Sequence, residues 1–347
     1  MELKRIVLNK KRNVNLTAIL QGVGGEFIRV NRRPAVLVLP GGGYDMCSDI
    51  EAEPVALAYA KAGYQAFILR YSVGEHAIWP YPLEDYEQAV ELIREHAEEW
   101  GIYSDKIVVV GFSAGGHLAA CTAVMSKYRP NAAVIGYAPV GVRGTKLMES
   151  KQLPSPIDYV DQNTSPCFLF AARDDMLVTI DNTLEFQLAL AKTNVTFESH
   201  VYAFGSHGFS TGEKAVKYVR TCSRVPNWVN DSIEWLKEIQ GDFGNGELGE
   251  PEFGKKINDD LEPFLSVDCT IHRLKTKQEL LDESLVPYLG ILDNRGMEAE
   301  RMEGPLADFV KNVRLRDMLL TVGITDEEIA RIDAKLRKTR MTKKQLG

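Results

Sequence analysis

The chain has 347 residues, 45% of them hydrophobic and 26% charged, a balance that excludes a disordered, collagen-like or membrane-spanning protein and provides ample material for a core. A formal charge of -7 argues against broad affinity for nucleic acid or anionic lipid, which needs clustered Lys and Arg. The one basic cluster, Lys335, Arg337, Lys338, Arg340, Lys343 and Lys344, reads as positive charge at a helix C-terminus and a solvated tail.

The N-terminal segment MELKRIVLNKKRNV is charged throughout, with no apolar run of signal-peptide length, and no later stretch approaches a membrane span. Cys47, Cys121, Cys167, Cys222 and Cys269 are odd in number, scattered and never spaced C-x-x-C, which argues against a zinc site and a disulfide framework and fits a reducing, cytoplasmic location.

In chain order, Leu3 to Val7, Leu16 to Leu20 and Phe27 to Val30 read as antiparallel strands at one edge of a sheet. From about residue 35 to 240 apolar runs alternate with amphipathic segments, the pattern of a parallel sheet covered by helices on both faces. The strand runs are Ala35 to Leu39, Gln65 to Leu69, Ile107 to Val110, Ala133 to Tyr137, Phe168 to Ala171 and Val195 to Tyr202. Between and after them, Glu51 to Ala62, Glu84 to Trp100, Ala114 to Ser126, Asn182 to Lys192 and Asn227 to Ile239 carry apolar residues at helical spacing.

Three segments follow from this: a domain over residues 1–240, a linker over 241–256 rich in Gly, and a helical appendage over 257–347. In the appendage, Leu306, Phe309, Val310, Val313 and Leu320 fall on one face. A shorter helix begins after Ile324, marked by a capping box of Thr325 with Glu328 and a staple of Ile324 with Ile329. Its Ile329, Ile332 and Leu336 stripe calls for cover by the first domain or by a second subunit, which makes the appendage a candidate homo-oligomer contact.

Chemistry concentrates at the ends of the strand runs. Gly111-Phe112-Ser113-Ala114-Gly115 follows one strand and precedes a helix, the context a nucleophile elbow requires, because side chains at 111 and 115 would collide with neighbouring backbone. Leu39-Pro40-Gly41-Gly42-Gly43-Tyr44 follows another and exposes backbone amides that can face an oxyanion, together with the amide of Ala114. A serine hydroxyl needs a base, and His207, in Phe204-Gly205-Ser206-His207-Gly208-Phe209, is best placed of the six histidines. His200 lies in a strand, His96 late in a helix and His272 in the appendage; His117 reads as packing, and His76 as a residue of the substrate mouth. Asp174 and Asp175 both follow the strand at Phe168 and compete to orient the base.

With these pieces in order, the chain resembles the α/β-hydrolase superfamily and, within it, bacterial acetyl esterases and acetylxylan-esterase-like proteins. The likeness is carried by PAVLVLPGGGY, EAEPVALAYAKAGYQAFILRYSVG, KIVVVGFSAGGHLAA, AARDDMLV and FGSHGFS. The resemblance implies an α/β-hydrolase fold: a mostly parallel central sheet with helices on both faces. It also implies Ser113 as nucleophile, Asp175 and His207 completing the triad, and Gly42, Gly43 and Ala114 as oxyanion donors. Asp175 is preferred to Asp174 because its spacing to Val178 is the commoner one in this fold, the valine packing inward and the acid turning to the histidine. Many relatives carry His where this chain has Pro40, which leaves the choice of glycine donor open.

The expected activity is hydrolysis of a small-molecule ester, with an acetyl or similarly short acyl group, through an acyl-enzyme that uses neither metal nor organic cofactor. Tyr44, Trp79, Met176 and Phe209 are expected as walls of a compact acyl pocket. Exposed aromatics would suit an acetylated sugar. A formamidase or peptidase on the same triad, and a binding protein that keeps the scaffold without the chemistry, are the competing readings.

Overall fold

In the computed structural model the chain forms two compact units, Met1–Lys255 and Lys256–Gly347. The described residues are 1–27, 29–141, 151–243, 248–249, 251, 264–285 and 311–339.

The first unit is built on an eight-stranded sheet in the order β1-β2-β4-β3-β5-β6-β7-β8. Its strands are β1 (Glu2–Asn9), β2 (Val14–Leu20), β3 (Arg33–Leu39), β4 (Gln65–Arg70), β5 (Ile102–Phe112), β6 (Ala132–Gly136), β7 (Cys167–Ala172) and β8 (Phe197–Tyr202). β1 and β2 join antiparallel, β2 pairs antiparallel with β4, and every pairing from β4 to β8 is parallel.

The helices are α1 (Glu53–Lys61), α2 (Tyr81–Glu95), α3 (Ala114–Met125), α4 (Asp181–Lys192) and α5 (Asn227–Gln240). Alternation along β3 explains why the sheet is covered twice: Ala35, Leu37 and Leu39 point into a core with residues of α2, α3 and α4, whereas Val36 and Val38 pack with residues of α1 and α5. All seven residues of β3 are buried, so no polar face exists along it.

Phe27 to Val30 departs from the expected strand. Gly24 and Gly25 take positive φ, and the Gly24 amide bonds to the Val30 carbonyl, so the segment turns back on itself and contributes only an isolated bridge between Gly24 and Phe27; Ile28 lies outside the described residues. The first part of the expected linker is also packed: Phe243 is buried edge-on against Tyr64, with ring centroids 5.3 Å apart.

The second unit contains α6 (Ile271–Leu274), α7 (Gln278–Leu285), α8 (Leu315–Thr321) and α9 (Asp326–Leu336). Thr325 and Glu328 form the capping box at the start of α9, and Ile324 and Ile329 are both buried. The Ile329, Ile332 and Leu336 stripe is covered within this unit, by a core that includes Leu265, Val267, Leu274, Leu281, Leu315 and Leu319. This corrects the expectation that the first domain or a second subunit must cover it: the unit brings enough apolar surface of its own. Of the other expected stripe, Leu306, Phe309 and Val310 lie outside the described residues, and Leu320 is exposed. Arg340, Lys343 and Lys344 of the basic tail lie outside them as well. Among the described residues, no helix is long and apolar enough to cross a membrane.

Candidate active site

The site sits beyond the C-terminal ends of β3, β5, β7 and β8, the edge at which open parallel sheets gather their loops. Ser113 links β5 to α3 with φ 50° and ψ −119°, a conformation that costs an L residue about 1–3 kcal/mol and persists only where the surroundings enforce it. They do so through glycine. A Cβ on Gly111 would fall 2.2 Å from the Gly115 carbonyl oxygen, and one on Gly115 would fall 2.0 Å from the Leu39 carbonyl oxygen. The Ser113 amide is held by the Gly136 carbonyl at 3.0 Å, and the turn places Ser113 immediately before a 12-residue helix that begins at Ala114.

His207 lies on the loop after β8, with Nε2 2.9 Å from Ser113 Oγ and Nδ1 2.6 Å from Asp175 Oδ2. An ionised carboxylate only accepts, so Nδ1 carries the proton and Nε2 is left free to receive the serine's. Asp175 is buried, and its other oxygen accepts the amides of Leu177 at 2.8 Å and Val178 at 3.1 Å. The imidazole therefore meets a carboxylate that is already aimed.

Asp174 has a different task. It accepts the Gly205 amide at 2.7 Å and faces Arg220; that amide bond, ahead of the arginine charge, holds its carboxyl below the usual range. It pins the loop that carries His207.

The glycine loop completes the site. Gly42 and Gly43 adopt φ 129° and 66°, and among the described residues their amides, like that of Ala114, have no protein acceptor. The Gly41 amide instead donates to Glu51 at 2.9 Å. Gly42, Gly43, Ser113 and His207 border a cavity of about 690 Å³ whose other lining residues include Met46, Ile50, Glu51, Pro139, Leu177, Val178 and Lys217.

None of the four expected walls lines this cavity. Tyr44 has no exposed surface: it takes φ 61°, turns inward and donates its hydroxyl to His117 Nδ1 at 2.8 Å. Trp79 packs edge-on against the same imidazole. Phe209 is buried beneath the sheet edge with Tyr137, Phe170 and Tyr202. Met176 is 91% exposed and points to solvent, while its neighbours Leu177 and Val178 face the cavity.

His117 is an internal structural group, as expected. Its Nε2 donates to the Pro154 carbonyl at 2.8 Å, and burial lowers its pKa to about 4. His76 does not line the cavity.

Glu51 escaped the sequence reading. It stands at the end of a single turn before α1, in a run, Asp49-Ile50-Glu51-Ala52-Glu53, that reads as a solvated helix start. Yet it is only 4% exposed, and Oε1 accepts the Tyr137 hydroxyl at 2.7 Å. Burial pushes its carboxyl up, opposed by the Tyr137 and Gly41 hydrogen bonds and by the charge of Lys217. Its ten-residue spacing from Gly41 is the one sequence signal, and nothing in composition singles that out. Among the described residues, no group of three or more His, Cys, Asp or Glu is arranged to hold a metal ion.

A doubly covered, mostly parallel sheet with a serine elbow, a histidine loop and a glycine loop at one edge defines the class: the chain belongs to the α/β-hydrolase family. MGS-M1, an α/β-hydrolase enzyme from a Medee basin deep-sea metagenome library, is 42% identical with a TM-score of 0.64, over 68% of this chain and 97% of that one. Residues 29–134 match the BD-FAE family model. The chain is also 31% identical to the endo-1,4-beta-xylanase B of Butyrivibrio fibrisolvens over 52% of its own length and 33% of that protein. With the acetylxylan esterase of Xylanibacter ruminicola the identity is 29%, over 59% of this chain and 46% of that protein. The chain thus spans only a third to a half of the length of these two curated relatives.

Proposed function

We propose that this protein is a carboxylic ester hydrolase that cleaves short-chain, chiefly acetyl, esters of sugar-like alcohols, with Ser113, His207 and Asp175 as its triad. The observation that carries the proposal is the placement of His207 within 2.9 Å of the Ser113 hydroxyl and 2.6 Å of Asp175, beside amides that have no other acceptor.

In the proposed reaction His207 Nε2 takes the Ser113 proton as Oγ attacks the acyl carbon. The carbonyl oxygen becomes an oxyanion that receives N–H groups of Ala114 and of Gly42 or Gly43. Asp175 stays ionised and stabilises the imidazolium, which then gives its proton to the leaving alkoxide. Water, deprotonated by the same histidine, adds to the acyl-enzyme and releases the acid and the free serine.

The cavity of about 690 Å³ is within the range of small-molecule sites and far exceeds an acetyl group, which leaves space for the alcohol half. The acetyl preference draws support from the esterase relative whose name specifies acetylxylan. Five free thiols suit a reducing compartment.

Two assays test the reading. A fluorophosphonate should label Ser113 in the wild-type protein and not in Ser113→Ala, and acetyl esters should turn over faster than octanoyl esters, formyl amides or peptide amides. No labelling would overturn the catalytic role, and preference for an amide would overturn the esterase assignment.

A further inference from the structure

We propose that Glu51 is a positioning residue whose buried carboxylate ties the glycine loop to the loops after β6 and β8, and so fixes the direction in which the Gly42 and Gly43 amides point. The inference rests on the serine-hydrolase reading of the site.

Glu51 accepts two hydrogen bonds from separate segments, Gly41 N–H on Oε2 at 2.9 Å and Tyr137 O–H on Oε1 at 2.7 Å. The Tyr137 oxygen in turn accepts the Ser210 amide at 3.0 Å, and the Ser210 hydroxyl donates to the Ile50 carbonyl, which returns the chain of bonds to the residue before Glu51. The Tyr137 ring also packs edge-on against His207, with centroids 5.0 Å apart. Three segments that share no helix or strand, those of Glu51, Tyr137 and Ser210, are closed into one ring of bonds; the glycine loop hangs from it through the Gly41 amide on Glu51, and the base packs on it at Tyr137.

Tyr137 and Ser210 hold φ 34° and 53°, conformations L residues rarely adopt and that require compensating contacts. Gly41 lies directly on the elbow: a Cβ there would fall 2.6 Å from Glu51 Oε2 and 2.7 Å from the Phe112 carbonyl oxygen. With its own amide drawn back to Glu51, the Gly41 peptide cannot rotate freely, and the next two amides are left without protein acceptors.

An acid suits this place better than an amide because both partners at Glu51 are donors. A glutamine can keep its carbonyl on the Gly41 amide only by presenting NH₂ to the Tyr137 oxygen, which already receives the Ser210 amide. A group that positions the oxyanion donors acts on the transition state, so its loss lowers kcat and leaves KM in place.

The test measures kcat and KM for an acetyl ester, with kcat expressed per serine titrated by the fluorophosphonate so that misfolded protein does not count. Glu51→Ala should lower kcat about 100-fold, the scale of losing one oxyanion donor, and move KM less than about twofold. Glu51→Gln, which disturbs the Tyr137 link, and Tyr137→Phe, which removes that link together with the acceptor of the Ser210 amide, both keep the Gly41 acceptor and should each lower kcat about tenfold, and their combination should fall well short of the product because both cut the Glu51–Tyr137 bond. If Glu51→Ala yields no titratable serine, these two milder variants decide the matter. Wild-type kcat per serine in the variants, or a raised KM with unchanged kcat, would overturn the inference while leaving the hydrolase reading intact. A wild-type protein that does not label would overturn both.

Discussion

Adding one methyl group at Gly115 tests whether the anion site is held between two backbones. In Gly115→Ala the new Cβ would lie 2.0 Å from the Leu39 carbonyl oxygen and 2.5 Å from that of Pro40, against an ordinary contact that begins at 3.4 Å. The end of β3 and the start of α3 must therefore part by about 1.4 Å. Neither obstacle is a side chain that could rotate away. Oxyanion donors work within about 2.7–3.1 Å of the anion, so a shift of this size removes one side of the hole, at a cost of about 10²–10³ in kcat. Overpacking of this kind also destabilises by about 1–3 kcal/mol, which lowers Tm by a few degrees for a unit of this size. Trp79, Trp100, Trp228 and Trp235 all lie in the first unit, so intrinsic fluorescence follows its unfolding. The expected result is a protein that still unfolds cooperatively and has lost at least about 100-fold in kcat per titrated serine. A folded variant within tenfold of the wild-type kcat would refute the placement of the donors.

Two further predictions separate neighbouring residues by their partners. Asp175→Asn should lower kcat by about 10⁴, because the amide no longer holds the productive tautomer of His207, whereas Asp174→Asn should change kcat only a few-fold, since Asp174 serves the Gly205 amide. Comparable losses in the two variants would reassign the acid. For His117, the folded state takes up a proton only near pH 4, whereas the unfolded chain does so near 6.5, so the unfolded state binds more protons between those values. Stability should fall as pH drops from 6.5 to 4, by as much as about 3 kcal/mol, and His117→Gln should lose that part of the slope in urea unfolding followed by tryptophan fluorescence. Identical slopes in both proteins would show that the imidazole is not held neutral.

The parts of this molecule that could be read in advance are those in which local sequence sets local geometry. The elbow at Ser113 was legible because a strand, a sharp turn and a helix are all encoded within a short window, and the steric demand on Gly111 and Gly115 is local. The order of strands and helices followed from β3-like runs with no polar face. The cavity walls were not legible. Tyr44 and Phe209 are aromatic and adjacent to site residues, but at Tyr44 a positive φ turns the ring inward, and Phe209 finds its place only when β6, β7 and β8 are assembled around it. Glu51 was hidden for the opposite reason: a carboxylate at a helix start is usually solvated, and only the arrival of Tyr137 and Gly41 from distant segments makes it internal. The α9 stripe misled in the same way, since its cover comes from segments whose own patterns are short.

The direct seating of α3 on the end of β3 constrains how such a protein can diversify. With carbonyl oxygens where a side chain would stand, the side proposed to bind the anion offers no rotamer or volume at Gly115 for mutation to adjust. On that reading new substrate preferences arise elsewhere around the cavity, where Met46, Ile50, Leu177 and Lys217 present replaceable side chains.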